Sequence, residues 1–319
     1  MIDNPLVSIA LCTYNGARFL REQLNSIVAQ SYPNVEVIVV DDRSTDDTMS
    51  ILEEYASRYP MFKLYRNEQN LGFTKNFEKA IGLCTGELIA LCDQDDIWHP
   101  DKISMQVAAM GDNLLVYHDS EFVHQDGSPI GKKMSDLLNL YSGSEPEVFL
   151  FFNCVSGHAI LMKRALVSAA LPLPKGHFHD WWLAYVATNL GSILALPQSL
   201  VKYRQHDKSD TNILKLTRDK DNYSFSSVEK MQRELNWLLQ CASFPQNRHP
   251  KFIKAFYDAY SKRMDSYMNF KLTMLMYQKS KAIFYMRKKS RLSKLNYIYK
   301  QVWGAKIKAL FGNKDKSHG

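Results

Sequence analysis

Residues 35–42 read VEVIVVDD, and this stretch is the clearest indicator of the fold class. Its first six residues are Val or Ile with a single break at Glu36, a pattern typical of a strand buried on both faces of a parallel sheet. The strand runs straight into Asp41 and Asp42, and apolar residues then recur at helical spacing from about residue 47 to Arg58. A buried strand, a polar exit and a helix in this order predict an α/β fold.

The same unit recurs on both sides of this stretch. Apolar runs predict strands over residues 7–11, 63–66 and 87–92, and helical periodicity follows the first two at 19–28 and 74–83. This alternation predicts a mostly parallel sheet with helices on both faces. Right-handed crossovers place the carboxyl ends of the strands along one edge, where such sheets bind ligands.

The later part of the chain is less regular. Residues 127–147 are rich in Gly, Ser and Pro and predict a mobile loop or insertion, and two short strands are expected at 193–196 and 200–203. Beyond these strands the apolar pattern becomes helical. We therefore predict two domains, residues 1–215 and a helical extension over residues 216–319.

The charge is divided unevenly between these two parts. The 319 residues carry a net charge of +7, yet 13 of the 40 Lys and Arg residues and only one of the 33 Asp and Glu residues follow residue 265. The body is therefore mildly acidic and the tail strongly basic. A charge of this size on the tail needs an anionic partner or a solvated face.

The cysteine content and the apolar runs exclude several classes of protein. Five scattered cysteines without a CxxC pair do not predict a disulfide framework or a structural zinc site, and they fit a reducing compartment. No apolar run reaches about 18 residues, and the N-terminal run is too short for a secretory signal. We expect a cytoplasmic protein without a membrane-spanning helix.

The segment Asp93-Gln94-Asp95-Asp96 is the strongest candidate for chemistry. Three carboxylates within four residues repel one another at the end of a buried strand. A hard divalent cation relieves that repulsion, and Mg²⁺ or Mn²⁺ also bridges phosphate oxygens. The alternative is an acidic turn that caps a helix beginning near Pro100.

Several motifs in order resemble a family 2 glycosyltransferase of the nucleotide-diphosphosugar, or GT-A, superfamily. The resemblance covers roughly residues 6–210 through the segments SIALCTYNG, PNVEVIVVDDRSTDDT, NLGFTKNFEKAI, GELIALCDQDDIWHPDKI, HDWWLA and YRQH. The DQDDIW and HDWWL forms are similar to a rhamnosyltransferase-like branch. The resemblance implies a Rossmann-like GT-A domain and a metal-dependent, inverting transfer of a sugar in bacterial surface polysaccharide synthesis, such as O-antigen, capsule or lipopolysaccharide.

The resemblance also implies a set of positions for the donor, a dTDP- or UDP-sugar. These nucleotide-sugar-binding residues are Thr13, Asn15, Asp41, Asp42, Asn70, Gly72, Lys75, Asp93, Gln94 and Arg204. For Asp42 an ordinary helix N-terminal charge is the alternative. For Lys75 the alternative is a solvated side chain.

The metal ligands implied by the resemblance are Asp93, Asp95 and His206, which would hold Mn²⁺ or Mg²⁺. Asp96 is either a further ligand or a supporting acid, because the register of the DQDD segment is ambiguous. His158 follows Gly157 in a segment expected under the acceptor site. A satisfied core histidine is the favoured interpretation of His158.

The resemblance places the catalytic base at Asp180, where the preceding residue is His179 instead of the acid that is usual in the family. A carboxylate can take the proton of an acceptor hydroxyl, and His179 is an alternative base because its reference pKa lies closer to neutrality. A helix N-cap is the structural alternative for Asp180. Trp181 and Trp182 are expected to contact the acceptor, with core packing as the alternative for one of them.

The basic tail mixes Lys and Arg with bulky apolar residues, as helices at an anionic lipid surface do. We therefore expect a glycan or lipid-linked glycan acceptor and a peripheral position on the cytoplasmic face of the inner membrane. A helical bundle with a solvated basic face is the alternative, and no nucleic-acid partner is expected. A non-catalytic nucleotide-sugar-binding subunit is the alternative function. A nucleotidyltransferase is discounted because the turn after the first strand lacks a Gly-rich, basic phosphate loop.

Overall fold

The computed structural model describes residues 4–206, 214 and 227–307. The chain divides into two compact units, one of Met1–Ser144 with Asn153–Ser209 and the other of Glu145–Phe152 with Asp210–Gly319. The predicted domain boundary near residue 215 lies outside the described residues. The segment Glu145–Phe152, inside the first predicted domain, belongs to the second unit.

In the first unit, nine strands of the described residues form one sheet in the order β3-β2-β1-β4-β8-β6-β9-β5, with β7 paired to β6. The strands are β1 (Val7–Thr13), β2 (Val35–Asp41), β3 (Phe62–Arg66), β4 (Leu88–Cys92), β5 (Ile97–Trp98), β6 (Leu115–Val123), β7 (Pro129–Lys133), β8 (Leu161–Lys163) and β9 (Ile193–Arg204). The first four pair in parallel, which the strand–helix alternation predicts.

Helices flank this sheet. They are α1 (Ala17–Val28), α2 (Thr48–Arg58), α3 (Phe73–Leu83), α4 (Lys102–Met110), α5 (Met134–Leu137), α6 (Val167–Ala170) and α7 (His179–Leu190). Helices α1 and α2 bury apolar residues such as Leu24 and Leu52 in the same core as the strand residues Ile9 and Val39. The result is an α/β fold whose core is built mainly from the strand runs that the apolar pattern predicts.

The other half of the sheet is mixed and corrects two expectations. Strands β8, β5 and β7 pair antiparallel with their neighbours, whereas β6 and β9 form a further parallel pair. Residues 129–137, inside the expected mobile loop, form β7 and α5. The two short strands expected near residues 193 and 200 are one continuous strand, β9. This strand pairs in parallel with β6, and the register of the pairing shifts near Asp119.

The second unit is helical in its described part. Its helices are α8 (Ser227–Ser243), α9 (Pro250–Met264), α10 (Phe270–Gln278), α11 (Ser280–Ile283) and α12 (Arg291–Lys300). The buried carboxylate of Glu147 accepts from Lys279 Nζ at 3.0 Å and lies 2.8 Å from His249 Nδ1. These contacts attach the Glu145–Phe152 segment to the helices. Among the described helices, none has both the length and the apolar character needed to cross a bilayer.

Candidate active site

Strands β1, β2 and β4 end at neighbouring positions of the sheet, and the predicted polar clusters lie there. Thr13 pairs with Asp41 in the β1–β2 ladder, and its Oγ1 donates to Asp41 Oδ1 at 3.0 Å. Asp41 is fully buried and also accepts from the backbone N–H of Ser44 at 2.9 Å. Thr13 and Asp41 are thus buried and hydrogen-bonded to each other at the ends of β1 and β2.

The carboxylate of Asp42 organises the adjoining turn. It accepts from the backbone N–H groups of Leu71 and Gly72, each at 2.8 Å, while Asn70 Nδ2 donates to the Asp42 carbonyl at 3.2 Å. Gly72 has φ 79° just before α3, a conformation that favours glycine. Asp42 therefore fixes the turn that the sequence assigned to the donor pocket.

Gln94 fixes the turn after β1. Its side-chain amide accepts from Tyr14 N at 2.9 Å and donates to Tyr14 O at 3.0 Å. A Cβ on Gly16 would lie 2.1 Å from Gln94 Oε1, so a larger residue there would displace the Gln94 side chain from this position. Asn15 takes φ 47° and accepts from Thr45 N at 2.8 Å. Gln94 thereby joins the turn after β1 to the turn after β4, and Asn15 joins it to the turn after β2.

Asp95 and His206, two of the three predicted metal ligands, lie in contact with each other. Asp95 Oδ2 is 2.7 Å from His206 Nε2. The His206 ring stacks on Phe19 with 5.0 Å between centroids. At this distance the two groups share a hydrogen bond, and the Asp95 carboxylate is the kind of oxygen ligand that Mg²⁺ and Mn²⁺ prefer.

Asp93, the third predicted ligand, lies instead in a group with Asp96 and His158. His158 Nδ1 is 3.5 Å from Asp96 Oδ2 and 3.9 Å from Asp93 Oδ2. Asp96 Oδ2 is buried without a hydrogen-bond partner among the described residues. Burial, followed by the charges of Asp95 and Asp93, raises the pKa of Asp96 well above its usual value. This orphaned oxygen fits a cation as well as a proton.

His158 is a buried histidine with a hydrogen-bond partner, which is the interpretation that the sequence favours. It is 1% exposed, and its Nε2 lies 2.8 Å from Ser120 Oγ. Burial and the neighbouring Lys102 lower the pKa of His158 to about 3, so the ring is neutral and able to accept a cation at Nδ1. In the sequence, only the Gly157-His158 pair draws attention to this histidine.

A buried lysine behind the acidic segment is not predicted by the sequence pattern. Lys102 in α4 is fully buried, its Nζ lies 3.9 Å from the Trp98 ring centroid, and it donates to Gln106 Oε1 at 3.0 Å. Burial lowers the pKa of Lys102 to about 7. The sequence does not indicate that Lys102 lies on the buried face of α4; the packing of the helix shows it.

Arg204 has a different position from that expected of a phosphate ligand. It is 2% exposed, its Nε donates to the Asp95 carbonyl at 2.8 Å, and its backbone N–H donates to Asp96 Oδ1 at 3.0 Å. The guanidinium also reaches the Gln125 carbonyl at 2.6 Å and Glu22 Oε2 at 2.5 Å. Arg204 therefore links β9, on which it lies, to Asp95 and Asp96 of the acidic segment.

Asp180 lies in the first turn of α7 and is held by three donors. They are Asn153 Nδ2 at 3.1 Å, the backbone N–H of Gly157 at 3.1 Å and that of Trp181 at 2.5 Å. Burial raises the pKa of Asp180 to about 7 despite these bonds. Asn153 was not predicted as a site residue, since a lone Asn after an apolar run carries no motif.

His179 is positioned for packing. Its ring stacks on Phe77 with 4.2 Å between centroids, and a Cβ on Gly157 would lie 2.9 Å from its Nε2. Burial lowers the pKa of His179 to about 4. The neutral, 6% exposed ring makes His179 a weaker candidate base than Asp180.

The two tryptophans after Asp180 differ. Trp182 is 7% exposed and its Nε1 donates to the Ala170 carbonyl at 2.8 Å, so it packs in the core, which is the alternative given for one of the two tryptophans. Trp181 is half-buried. Lys75, expected at the donor, pairs with Glu78 Oε1 at 2.5 Å on the same helix.

Two adjacent residues join the acidic segment to Asp180. Gly157 N–H donates to Asp180 Oδ2 at 3.1 Å, and the next side chain, His158, faces Asp96 and Asp93. The carboxylates of DQDD and the carboxylate of α7 therefore border one site. Carboxylates in such an arrangement can bind a cation or take a proton.

Solved glycosyltransferases share this architecture. The 1–349 fragment of S. aureus TarS in complex with UDP-GlcNAc gives a TM-score of 0.58 at 16% identity, covering 93% of this chain and 87% of that chain. The mannosyltransferase PcManGT from Pyrobaculum calidifontis, in complex with GDP-Man and Mn²⁺, gives 0.51 at 16% identity over 99% and 89%. The likeness confirms the expected GT-A fold.

Sequence comparison identifies the family. The sequence profile described as glycosyl transferase family 2 matches residues 8–169, and an uncharacterized glycosyltransferase of Haemophilus influenzae is 31% identical over 232 residues, 67% of this chain and 69% of that protein. The chain belongs to glycosyltransferase family 2. A Bacillus subtilis protein named as the teichuronic acid biosynthesis glycosyltransferase TuaG is 32% identical over 130 residues, 40% of this chain and 52% of its own length.

Proposed function

We propose that this chain transfers a sugar from a nucleotide-diphosphosugar to a hydroxyl of a glycan or lipid-linked glycan, with inversion at the anomeric carbon. The observation that carries the proposal is the link through Gly157 and His158, which brings Asp180 and the Asp93–Asp96 segment to one site. Family membership supports the reaction class.

Asp180 serves as the general base of this reaction. It takes the proton of the acceptor hydroxyl while that oxygen forms a bond to the anomeric carbon. The bond from this carbon to the diphosphate oxygen breaks on the opposite face, and the nucleoside diphosphate leaves with the electron pair. A pKa of about 7 at Asp180 suits a base that acts near neutral pH.

A divalent cation, Mn²⁺ or Mg²⁺, fits the donor set of the site. Asp95 and His206 would hold it, with Asp93, Asp96 and His158 as the second set of oxygen and nitrogen donors around the same segment. Bound there, the ion would neutralise charge on the leaving diphosphate. Asp42, Asn70 and Gly72 would line the nucleoside side of the pocket.

Bacterial surface polysaccharide assembly is the proposed setting. The name of TuaG refers to teichuronic acid biosynthesis. The proposed donors are UDP- or dTDP-linked hexoses, with rhamnose among them on the strength of the DQDDIW and HDWWL motifs. This choice of donor follows the resemblance and not a contact in the structure.

The described helices after residue 265 support a position at an anionic lipid surface. Large apolar side chains are exposed there, among them Phe270 (67%), Leu292 (79%) and Tyr299 (59%). Exposed basic residues lie between them, including Lys289, Arg291 and Lys300. Apolar side chains flanked by Lys and Arg are typical of interfacial helices, and they support a peripheral place on the cytoplasmic face of the inner membrane.

Release of nucleoside diphosphate from UDP-glucose, UDP-N-acetylglucosamine, UDP-galactose and dTDP-rhamnose tests the proposal, with Mn²⁺ present and with it chelated. We expect one donor to be turned over in the wild type, slowly with water as the acceptor, and not in Asp180→Asn. Tight donor binding without turnover in any condition would favour the non-catalytic subunit.

A further inference from the structure

Two exposed aromatic rings lie beside the proposed base. Phe178 directly precedes the His179-Asp180 pair, and its ring centroid is 6.0 Å from that of Phe73, with 31° between the ring planes. Phe73 is 42% exposed and Phe178 is 36% exposed. Single exposed apolar residues are ordinary, whereas these two rings adjoin each other and Phe178 lies two residues before Asp180.

The fold fixes the position of both rings. Phe73 begins α3 directly after Gly72, whose N–H is bound by Asp42 at 2.8 Å. The Phe73 centroid is also 6.3 Å from that of His179. The turn that borders the proposed donor pocket therefore also holds Phe73, and the start of α7 holds Phe178.

The packing of His179 accounts for the rest of this arrangement. Its buried ring lies against Phe77 at 4.2 Å and supports the start of α7, where Phe178 and Asp180 lie. The two exposed rings therefore rest on a packed layer and are not isolated side chains. A rigid aromatic surface binds with little loss of conformational entropy.

We propose that Phe73 and Phe178 form the platform on which the acceptor's pyranose ring stacks, so that a ring hydroxyl is presented to Asp180. The inference rests on the proposed transfer function and adds the chemistry of its acceptor site. A pyranose has a C–H face that matches an aromatic surface and hydroxyls at its rim that match polar groups. Trp182, buried in the core, is not available for this role.

The test uses the full chain, deuterated except at phenylalanine, and saturation-transfer NMR with methyl and octyl pyranosides of glucose, galactose, N-acetylglucosamine and rhamnose. Saturation of the phenylalanine protons should reach the ring C–H protons of at least one sugar. Phe73→Ser with Phe178→Ser should reduce this transfer roughly fivefold or more, and the double Tyr variant should retain it. Phe270→Ser, at an exposed phenylalanine of the helical unit, is the matched control.

Unchanged transfer in the double Ser variant would overturn the platform, as would transfer to the octyl chain alone or to no sugar in the wild type. Binding of UDP or dTDP with Mn²⁺ is measured on the same samples. If the wild type binds donor but the saturation transfer to the sugar is not as expected, the platform alone is overturned. If the wild type neither binds nor turns over any donor, the proposed function is overturned.

Discussion

The backbone N–H of Gly157 donates to Asp180 Oδ2 over 3.1 Å. The next residue, His158, places its Nδ1 3.5 Å from Asp96 Oδ2. The dipeptide Gly157-His158 therefore contacts Asp180 on one side and the acidic segment on the other, and its displacement would disturb the proposed base and the acidic segment together.

The first prediction concerns the identity of the base. Asp180→Asn keeps the size of the side chain but cannot take a proton, so it should lower kcat roughly 10²- to 10⁴-fold and leave donor binding unchanged. His179→Asn should retain transfer within roughly tenfold, since the ring is buried and its pKa is lowered to about 4 by burial. Steady-state transfer kinetics and donor titration measure the two effects. An active Asp180→Asn variant together with an inactive His179→Asn variant would move the base to His179.

The second prediction is a pH dependence of stability. Burial raises the pKa of Asp180 to about 7 in the folded chain, against about 3.9 for an exposed carboxyl. Between these values the folded state binds more protons than the unfolded state, so its stability falls as the pH rises. Asp180→Asn should therefore gain Tm relative to the wild type at pH 8, and the gain should shrink toward pH 4. Thermal melts across this range measure it, and Asp112→Asn, at an exposed aspartate, should show no such trend. A difference independent of pH would refute the raised pKa.

The third prediction tests Arg204 as a clamp. Arg204→Lys keeps the charge but loses the planar set of donors that reaches Asp95 O, Gln125 O and Glu22. We expect a loss of about 2 kcal/mol or more in the free energy of unfolding, measured by urea denaturation. Lys202→Arg, at an exposed position on the same strand, is the control. Unchanged stability with weakened donor binding would instead assign Arg204 to the diphosphate.

The fourth prediction addresses the lipid surface. Each basic residue near an anionic bilayer adds about 1 kcal/mol, so loss of two should lower partitioning roughly 30-fold. Lys289→Gln with Arg291→Gln neutralises two exposed residues of the helical unit, and Lys132→Gln with Lys202→Gln makes the same change of charge in the first unit. Co-sedimentation with phosphatidylglycerol vesicles measures the difference. Equal binding by both double variants would argue against the helical unit as the lipid-contacting part.

The first half of the fold was predictable because its strands are continuous apolar runs that end in polar turns. Strand β6 was not, since His118, Asp119 and Ser120 interrupt its apolar pattern. All three are buried, and Asp119 accepts from Ser135 N at 2.9 Å. Strand β7 is mostly exposed and rich in Gly and Lys, which gives it the composition of a loop. In both strands, pairing outweighs local propensity.

For the site, the sequence motifs identify which residues gather but not which contacts they make. Asp95, for example, shares a hydrogen bond with His206. Arg204 and Trp182 occupy motif positions, but both are buried. Their burial depends on packing against segments that are distant in the sequence, which a motif does not reveal. Asn153 and Lys102 carry no motif, and their importance follows only from the three-dimensional arrangement.

The most direct measurement is calorimetric titration of UDP, dTDP and GDP, with CMP as a control, into the full chain with and without Mn²⁺. The account predicts that one nucleoside diphosphate binds tightly and only when Mn²⁺ is present. Asp95→Ala should weaken this metal-dependent binding, and Asp112→Ala should leave it unchanged. Equal binding with and without Mn²⁺, or no binding of any nucleotide, would contradict a metal-dependent donor site at the Asp93–Asp96 segment.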